Sequence, residues 1–270
     1  MREIKMTIKL VALDLDDTLL DSKLAVSPRA CEAICKAIAQ GVTVTIATGR
    51  MHRSALPYAR QLGLDVPLIT YNGALIKSSL SGETLLHQPI DQELARQALT
   101  LCREHGWYIQ SYINDEIYVT ELGKYTEVYR RISGVPAIAV GDRLYAAEER
   151  PNKLLAMSTE QGALEIRNTF HSIFGHKLNI VISKPTYVEI TDPLANKGQA
   201  LAFLAAKLGI DREEIMAVGD SGNDLDMVKY AGWGVAMGNA TAAVKAAARL
   251  ETLSNDADGV AEAIEKYVLS

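Results

Sequence analysis

The chain has 270 residues, 48% of them hydrophobic, which is enough for a substantial core and more than the usual single-domain length. A formal charge of −5 argues against a nucleic-acid binder, which normally shows a basic stripe, but leaves small anionic substrates open, since a local cation or metal can offset it. The three cysteines suggest no disulfide framework, no apolar run approaches a membrane span and no basic-then-apolar leader opens the chain, so a soluble cytoplasmic protein is expected.

Met1–Lys5 read as an optional extension ahead of a first apolar run, Ile8–Leu13, that stops at acids as a buried parallel strand does. Ser27 and Pro28 supply a cap and a first turn for a helix running to Gly41. Cys31 and Cys35 share one face of it and read as small core residues rather than half of a metal site. Val42–Ala47 is a second strand, ending in Thr48-Gly49-Arg50; Met51–Leu62 is a helix; Val66–Thr70 is a third strand, ending in Tyr71-Asn72-Gly73. Alternating strands and helices predict a parallel sheet covered by helices, with its ligand crevice beyond the carboxyl ends of the strands. From about Leu80 the texture changes. Aromatic residues thicken, Asp91–His105 and Gly162–Phe174 read as helices, and Asn114-Asp115 reads as a hairpin turn between Trp107–Ile113 and Glu116–Thr120. The first pattern resumes near Tyr187–Thr191, with helix Lys197–Leu208, strand Ile215–Val218, a further strand–helix pair and a last helix from Gly259. The expected fold is α/β: a Rossmann-like parallel-sheet core of residues 1–82 and 188–270, with an α+β cap inserted at 83–187.

Four clusters fall at strand ends or helix starts. Asp14 and Asp16 lie two apart, so an extended segment points both side chains the same way, and paired carboxylates invite a cation such as Mg²⁺. Asp220 and Asp224 form a second acidic loop within Gly219–Asp224; Thr48 offers a hydroxyl beside loop N–H groups; Lys197 offers a cation. Each cluster alone reads as a turn, a cap or a solvated lysine. Together they form the set a phosphoryl group requires: a nucleophile, a divalent ion, a hydroxyl or amide donor and a fixed cation.

The segments Asp14–Leu20, Ile46–Arg50, Asn196-Lys197-Gly198 and Gly219–Asp224 resemble the four motifs of the haloacid dehalogenase (HAD) superfamily. Tyr71-Asn72-Gly73 and Asn255–Ala261 resemble its Cof-type branch of sugar-phosphate phosphatases. The resemblance implies a Rossmann-like core, an inserted α/β cap, and a Mg²⁺-dependent phosphatase acting on a small phosphorylated substrate. It implies Asp14 as nucleophile and Asp16 as acid/base. Mg²⁺ is then expected on the Asp14 carboxylate, the Asp16 carbonyl and the Asp220 carboxylate. Leu15, Thr48, Gly49, Lys197 and Asn223 are expected around the phosphoryl oxygens, with Asp224 and Asn72 supporting them from behind. Asp17 is expected to be structural. The cap tyrosines with Arg130, Arg131 and Lys153 are candidates to touch a sugar, although most of the aromatics are expected to pack the cap's own core. A phosphotransferase or mutase, a signalling receiver and a non-catalytic phospho-ligand binder are the competing readings. No membrane or nucleic-acid partner is expected, and the oligomeric state is left open.

Overall fold

The computed structural model describes residues 8–270, so the expectation for Met1–Lys5 lies outside the described residues. In chain order the elements are β1 (Leu10–Leu13), α1 (Pro28–Ala39), β2 (Thr43–Ile46), α2 (His52–Gln61), β3 (Pro67–Thr70), β4 (Leu75–Ser78) and β5 (Thr84–His87). Next come α3 (Gln92–His105), β6 (Ile109–Ile113), β7 (Glu116–Val119), α4 (Lys124–Ser133), β8 (Ala137–Ala139), β9 (Lys153–Met157), α5 (Glu160–Phe174), β10 (Asn179–Lys184) and β11 (Tyr187–Thr191). The chain closes with α6 (Lys197–Leu208), β12 (Ile215–Gly219), α7 (Leu225–Tyr230), β13 (Trp233–Ala236), α8 (Ala242–Ala247), β14 (Leu250–Glu251) and α9 (Gly259–Tyr267). It divides into two compact units: residues 8–86 with 196–270, and residues 87–195.

The first unit is built on a five-stranded parallel sheet in the order β14-β13-β12-β1-β2. Leu10, Val11, Ala12 and Leu13 are all fully buried, the uniform pattern of a strand covered on both faces. Leu13 stands beside Val218 on one side and Ile46 on the other, so β1, β2 and β12 end at the same level. That register brings Asp14, Thr48 and Asp220 to one edge of the sheet. The α1 helix starts as its sequence dictates: Ser27 Oγ accepts the Ala30 N–H at 3.1 Å and Pro28 fills the first turn. Cys31 is half-buried at the margin of the core, whereas Cys35 is exposed, which corrects the expectation of two core cysteines. The Val66–Thr70 run also departs from expectation. Rather than extending the parallel sheet, β3 pairs antiparallel with β4 in a separate three-stranded sheet, touching the β2 side through one parallel bridge, Ala47–Ile69. The left-handed Tyr71 and Asn72 reverse the chain there.

The second unit is a mixed six-stranded sheet in the order β10-β11-β9-β6-β7-β8. Its left-handed Asn114 and Asp115 make the two-residue hairpin turn read from the sequence. One face carries Ile109, Leu154, Ala156, Val188 and Ile190, which pack with α3 through Ala95, Ala98, Leu99 and Cys102 and with α5 through Ala163, Ile166, Phe170 and Phe174. The Tyr187–Thr191 run belongs here and not to the parallel core: β11 pairs antiparallel with both β9 and β10. Among the described residues, no helix is long and apolar enough to cross a membrane.

Candidate active site

Three carboxylates meet at the shared edge of β1 and β12. Asp14, Asp220 and Asp224 are buried, and each offers an oxygen within 4.8 Å of the others. Lys197, in the first turn of α6 and 0% exposed, donates 2.6 Å hydrogen bonds to Asp14 Oδ1 and Asp224 Oδ1. Asn196 caps that helix by accepting the Gln199 N–H, so the lysine enters the site from a fixed backbone. Asp224 is engaged on both sides, because its Oδ2 accepts the N–H groups of Asp220 and Ser221 at 2.9 and 3.0 Å. Asp220 Oδ1 accepts the Thr18 hydroxyl at 3.0 Å. Asp14 Oδ2 and Asp220 Oδ2 therefore receive no hydrogen bond among the described residues.

The electrostatics favour a further cation. Burial pushes the Asp14 carboxyl well up from its ordinary value, and Asp224 adds to this against the opposing pull of Lys197. Burial, then Asp224, pushes Asp220 up to about 7. Burial alone would lower Lys197, but Asp14 and Asp224 outweigh it and hold the ammonium charged. Fully ionised, the three acids would exceed the one lysine by two charges, which a divalent ion matches, and all-oxygen donors suit a hard one. The donor set thus fits a metal, with Asp14 and Asp220 the carboxylates that have oxygens to spare.

Thr48 is fully buried after β2. Its Oγ accepts the Arg50 N–H at 3.1 Å, which leaves its hydroxyl hydrogen uncommitted among the described residues. Gly49 passes close to Asn72: a Cβ there would sit 2.9 Å from Asn72 Oδ1. That same oxygen accepts the Asn223 amide at 2.9 Å, so Asn72 links the Thr48–Gly49 loop to the Asp220 loop. Leu15 is buried and follows Asp14 in the kinked turn Leu15–Leu19. Asp17 is exposed and left-handed at φ 60°.

Arg50 carries a role that sequence reasoning missed. It grips Asp16 in a two-pronged ion pair, Nε to Oδ2 at 2.8 Å and Nη2 to Oδ1 at 2.6 Å, and stacks on Tyr58. The Asp16 carboxylate therefore stands apart from the three clustered acids. Arg50 lies inside the Ile46–Arg50 segment, but no local pattern gives its partner. Within the second unit Arg130 pairs with Glu127 on the exposed α4. Lys153 is 1% exposed, 3.5 Å from Glu189 and over the Tyr112 ring.

The sequence profile of haloacid dehalogenase-like hydrolases matches residues 11–264. The chain belongs to this family. Phosphatase YwpJ of Bacillus subtilis, a relative within the family, is 33% identical, covering 94% of this chain and 98% of its own length. The 5-amino-6-(5-phospho-D-ribitylamino)uracil phosphatase YcsE of the same organism is 34% identical over 97% of this chain and 96% of its own. Pyridoxal phosphate phosphatase YbhA of Escherichia coli is 29% identical over 98% and 100%. Among solved structures, a haloacid dehalogenase-like hydrolase from Bacteroides thetaiotaomicron superposes with a TM-score of 0.90 at 31% identity, covering 96% of this chain and 99% of the other. The subclass IIB sugar phosphatase BT4131 gives 0.82 at 26% identity, covering 97% and 100%. The HAD family assignment extends to the branch: this is a Cof-like phosphatase with the subclass IIB fold.

Proposed function

We propose that this phosphatase hydrolyses small phosphorylated metabolites, sugar phosphates in particular, through an aspartyl-phosphate on Asp14. The observation that carries the reading is the buried Asp14 carboxylate held by Lys197, with one oxygen left for chemistry at the edge where the strands end. Asp14 attacks phosphorus in line, which divides one difficult hydrolysis into two displacements. Asp16 gives its proton to the leaving alcohol and recovers one from the attacking water. To reach either oxygen it must turn within, or out of, the Arg50 fork. Thr48, Lys197, Asn223 and the N–H groups of Leu15 and Gly49 hold the phosphoryl oxygens, with Asn72 fixing Asn223 and Asp224 fixing Lys197. The Asp14 and Asp220 carboxylates and the Asp16 carbonyl would hold Mg²⁺, which would supply positive charge to the phosphoryl group.

Relatives act on a ribitylaminouracil phosphate and on pyridoxal phosphate, and a structural neighbour is a sugar phosphatase; all are small monophosphates, which supports the substrate class. Phosphate release from a panel of phosphorylated metabolites, with and without Mg²⁺, tests the reading. Metal-dependent release that favours sugar phosphates and vanishes in Asp14→Asn is expected. Release by Asp14→Asn at the wild-type rate would overturn it.

A further inference from the structure

Asn239 and Asn255 lie outside the acidic loops yet tie them together. After β13 the chain runs across the ends of both loops. The Met237 N–H donates to Gly219 O at 3.1 Å and the Thr241 N–H to Asp220 O at 2.8 Å, so this segment is bonded to the backbone of the Asp220 loop. From the same segment the Asn239 amide donates to Asp17 O at 2.8 Å. Asn239 is itself oriented, because its Oδ1 accepts the Asn255 N–H at 3.1 Å, and the Asn255 amide donates to Leu20 O at 3.0 Å. Asp256 adds a third tie by accepting the Ser22 N–H at 2.8 Å. The segment is wedged tightly enough that only a glycine fits at 238: a Cβ there would stand 2.8 Å from Ser254 N.

What Asn239 holds is strained. Asp17 has φ 60° and ψ 11°, a left-handed conformation that costs a residue with a Cβ energy, although aspartate tolerates it better than most. The Asp16 carbonyl belongs to the peptide that leads into Asp17. If the Asp17 carbonyl were released, Asp17 could relax toward ordinary φ and the Asp16–Asp17 peptide plane would rotate. The spacing between the Asp14 loop and the Asp220 loop, otherwise bridged by Thr18 on Asp220, would loosen with it.

We propose that Asn239, held by Asn255, is a positioning residue for the metal site: it fixes the Asp16–Asp17 peptide and the spacing of the two acidic loops. This rests on the reading above, in which the ion lies on Asp14, Asp220 and the Asp16 carbonyl. Groups that orient metal ligands from one bond away typically change metal affinity by about 10–100-fold when removed.

The test is calorimetric titration of metal-free full-length protein with Mg²⁺ alone, for wild type, Asn239→Ala, Asn239→Asp and Asn255→Ala, alongside thermal unfolding in EDTA. Asn239→Asp keeps the shape and loses the donor, so it stands in if the alanine variant folds poorly. Both Asn239 variants are expected to bind Mg²⁺ about 10–100-fold more weakly. Asn255→Ala shifts the same way by less. Unfolding in EDTA stays near wild type because the Asn239 side chain is exposed, and kcat recovers at high Mg²⁺. Mg²⁺ binding within twofold of wild type in both Asn239 variants would overturn the proposal alone. A wild-type protein that binds no Mg²⁺ would overturn the metal reading beneath it.

Discussion

Replacing Lys197 by methionine removes the cation that, among the described residues, pairs with Asp14 and Asp224 in the cluster of three buried acids. The Lys197 side chain is 0% exposed, Asp224 0% and Asp14 6%, so solvent screens none of the resulting repulsion. Deleting one partner of a buried ion pair costs roughly 3–5 kcal/mol. At a few degrees per kcal/mol for a unit of this size, thermal unfolding in EDTA should fall by roughly 6–20 °C. The loss should be specific to charge. In Lys197→Met/Asp224→Asn, an asparagine at 224 still accepts the Asp220 and Ser221 N–H groups while one of the three uncompensated acids is gone. The double variant should therefore lose less stability than the sum of Lys197→Met and Asp224→Asn, by a coupling of about 0.5–3 kcal/mol. Activity should not return with stability, because a lost phosphoryl donor costs about 10²–10³ in kcat. Differential scanning calorimetry in EDTA, followed by Mg²⁺ addition, reads all of this, and Mg²⁺ should raise the unfolding temperature of the single variant more than that of wild type. Unchanged unfolding of Lys197→Met in EDTA would refute the charge argument.

Asp220 makes metal binding depend on pH. Its carboxyl is pushed from 3.8 up to about 7 in the metal-free fold, so between those values the folded protein holds a proton that the unfolded chain does not. Stability in EDTA should thus fall as pH rises through that window, while Mg²⁺ affinity should rise with pH, because the raised Asp220 and Asp14 carboxyls must both lose their protons to hold the ion; a flat affinity profile would contradict this. Arg50→Ala frees the Asp16 carboxylate from its fork, and pre-steady-state kinetics should show both displacement steps slowed by up to about 10²-fold, with little change in Mg²⁺ binding. Gly49→Ala drives a Cβ to 2.9 Å from Asn72 Oδ1, disturbing the Asn72–Asn223 bond. It should cost about 1–3 kcal/mol of stability and raise KM more than it lowers kcat, measured by unfolding and steady-state kinetics.

Much of the core was legible in the sequence because each chemical group follows an element with a strong local signature. The apolar run into Asp14, the Ser27-Pro28 cap and the Asn196 cap before Lys197 are short-range patterns, and the structure keeps them. Tyr187–Thr191 misled for the same reason. An apolar run ending at an acid looks alike in a parallel core strand and in an antiparallel strand, and only its pairing with β9 and β10 separates them. The antiparallel turn after β3 depends on two left-handed residues, Tyr71 and Asn72, which no periodicity reveals. Within the site, Asp14, Thr48 and Lys197 could be picked out by residue type and place. The Arg50–Asp16 fork and the Asn239–Asp17 tie could not, since each joins segments brought together only by the register of the sheet.

The proposed chemistry turns on covalent catalysis at Asp14. Acid quenching of Asp16→Asn protein during turnover of a sugar phosphate, followed by borohydride reduction and peptide mass spectrometry, tests it most directly. Reduction of an acyl phosphate on Asp14 should convert residue 14 to homoserine, and only when substrate and Mg²⁺ are both present. Continued turnover with residue 14 unmodified at every quench time, or modification at a different acid, would contradict it.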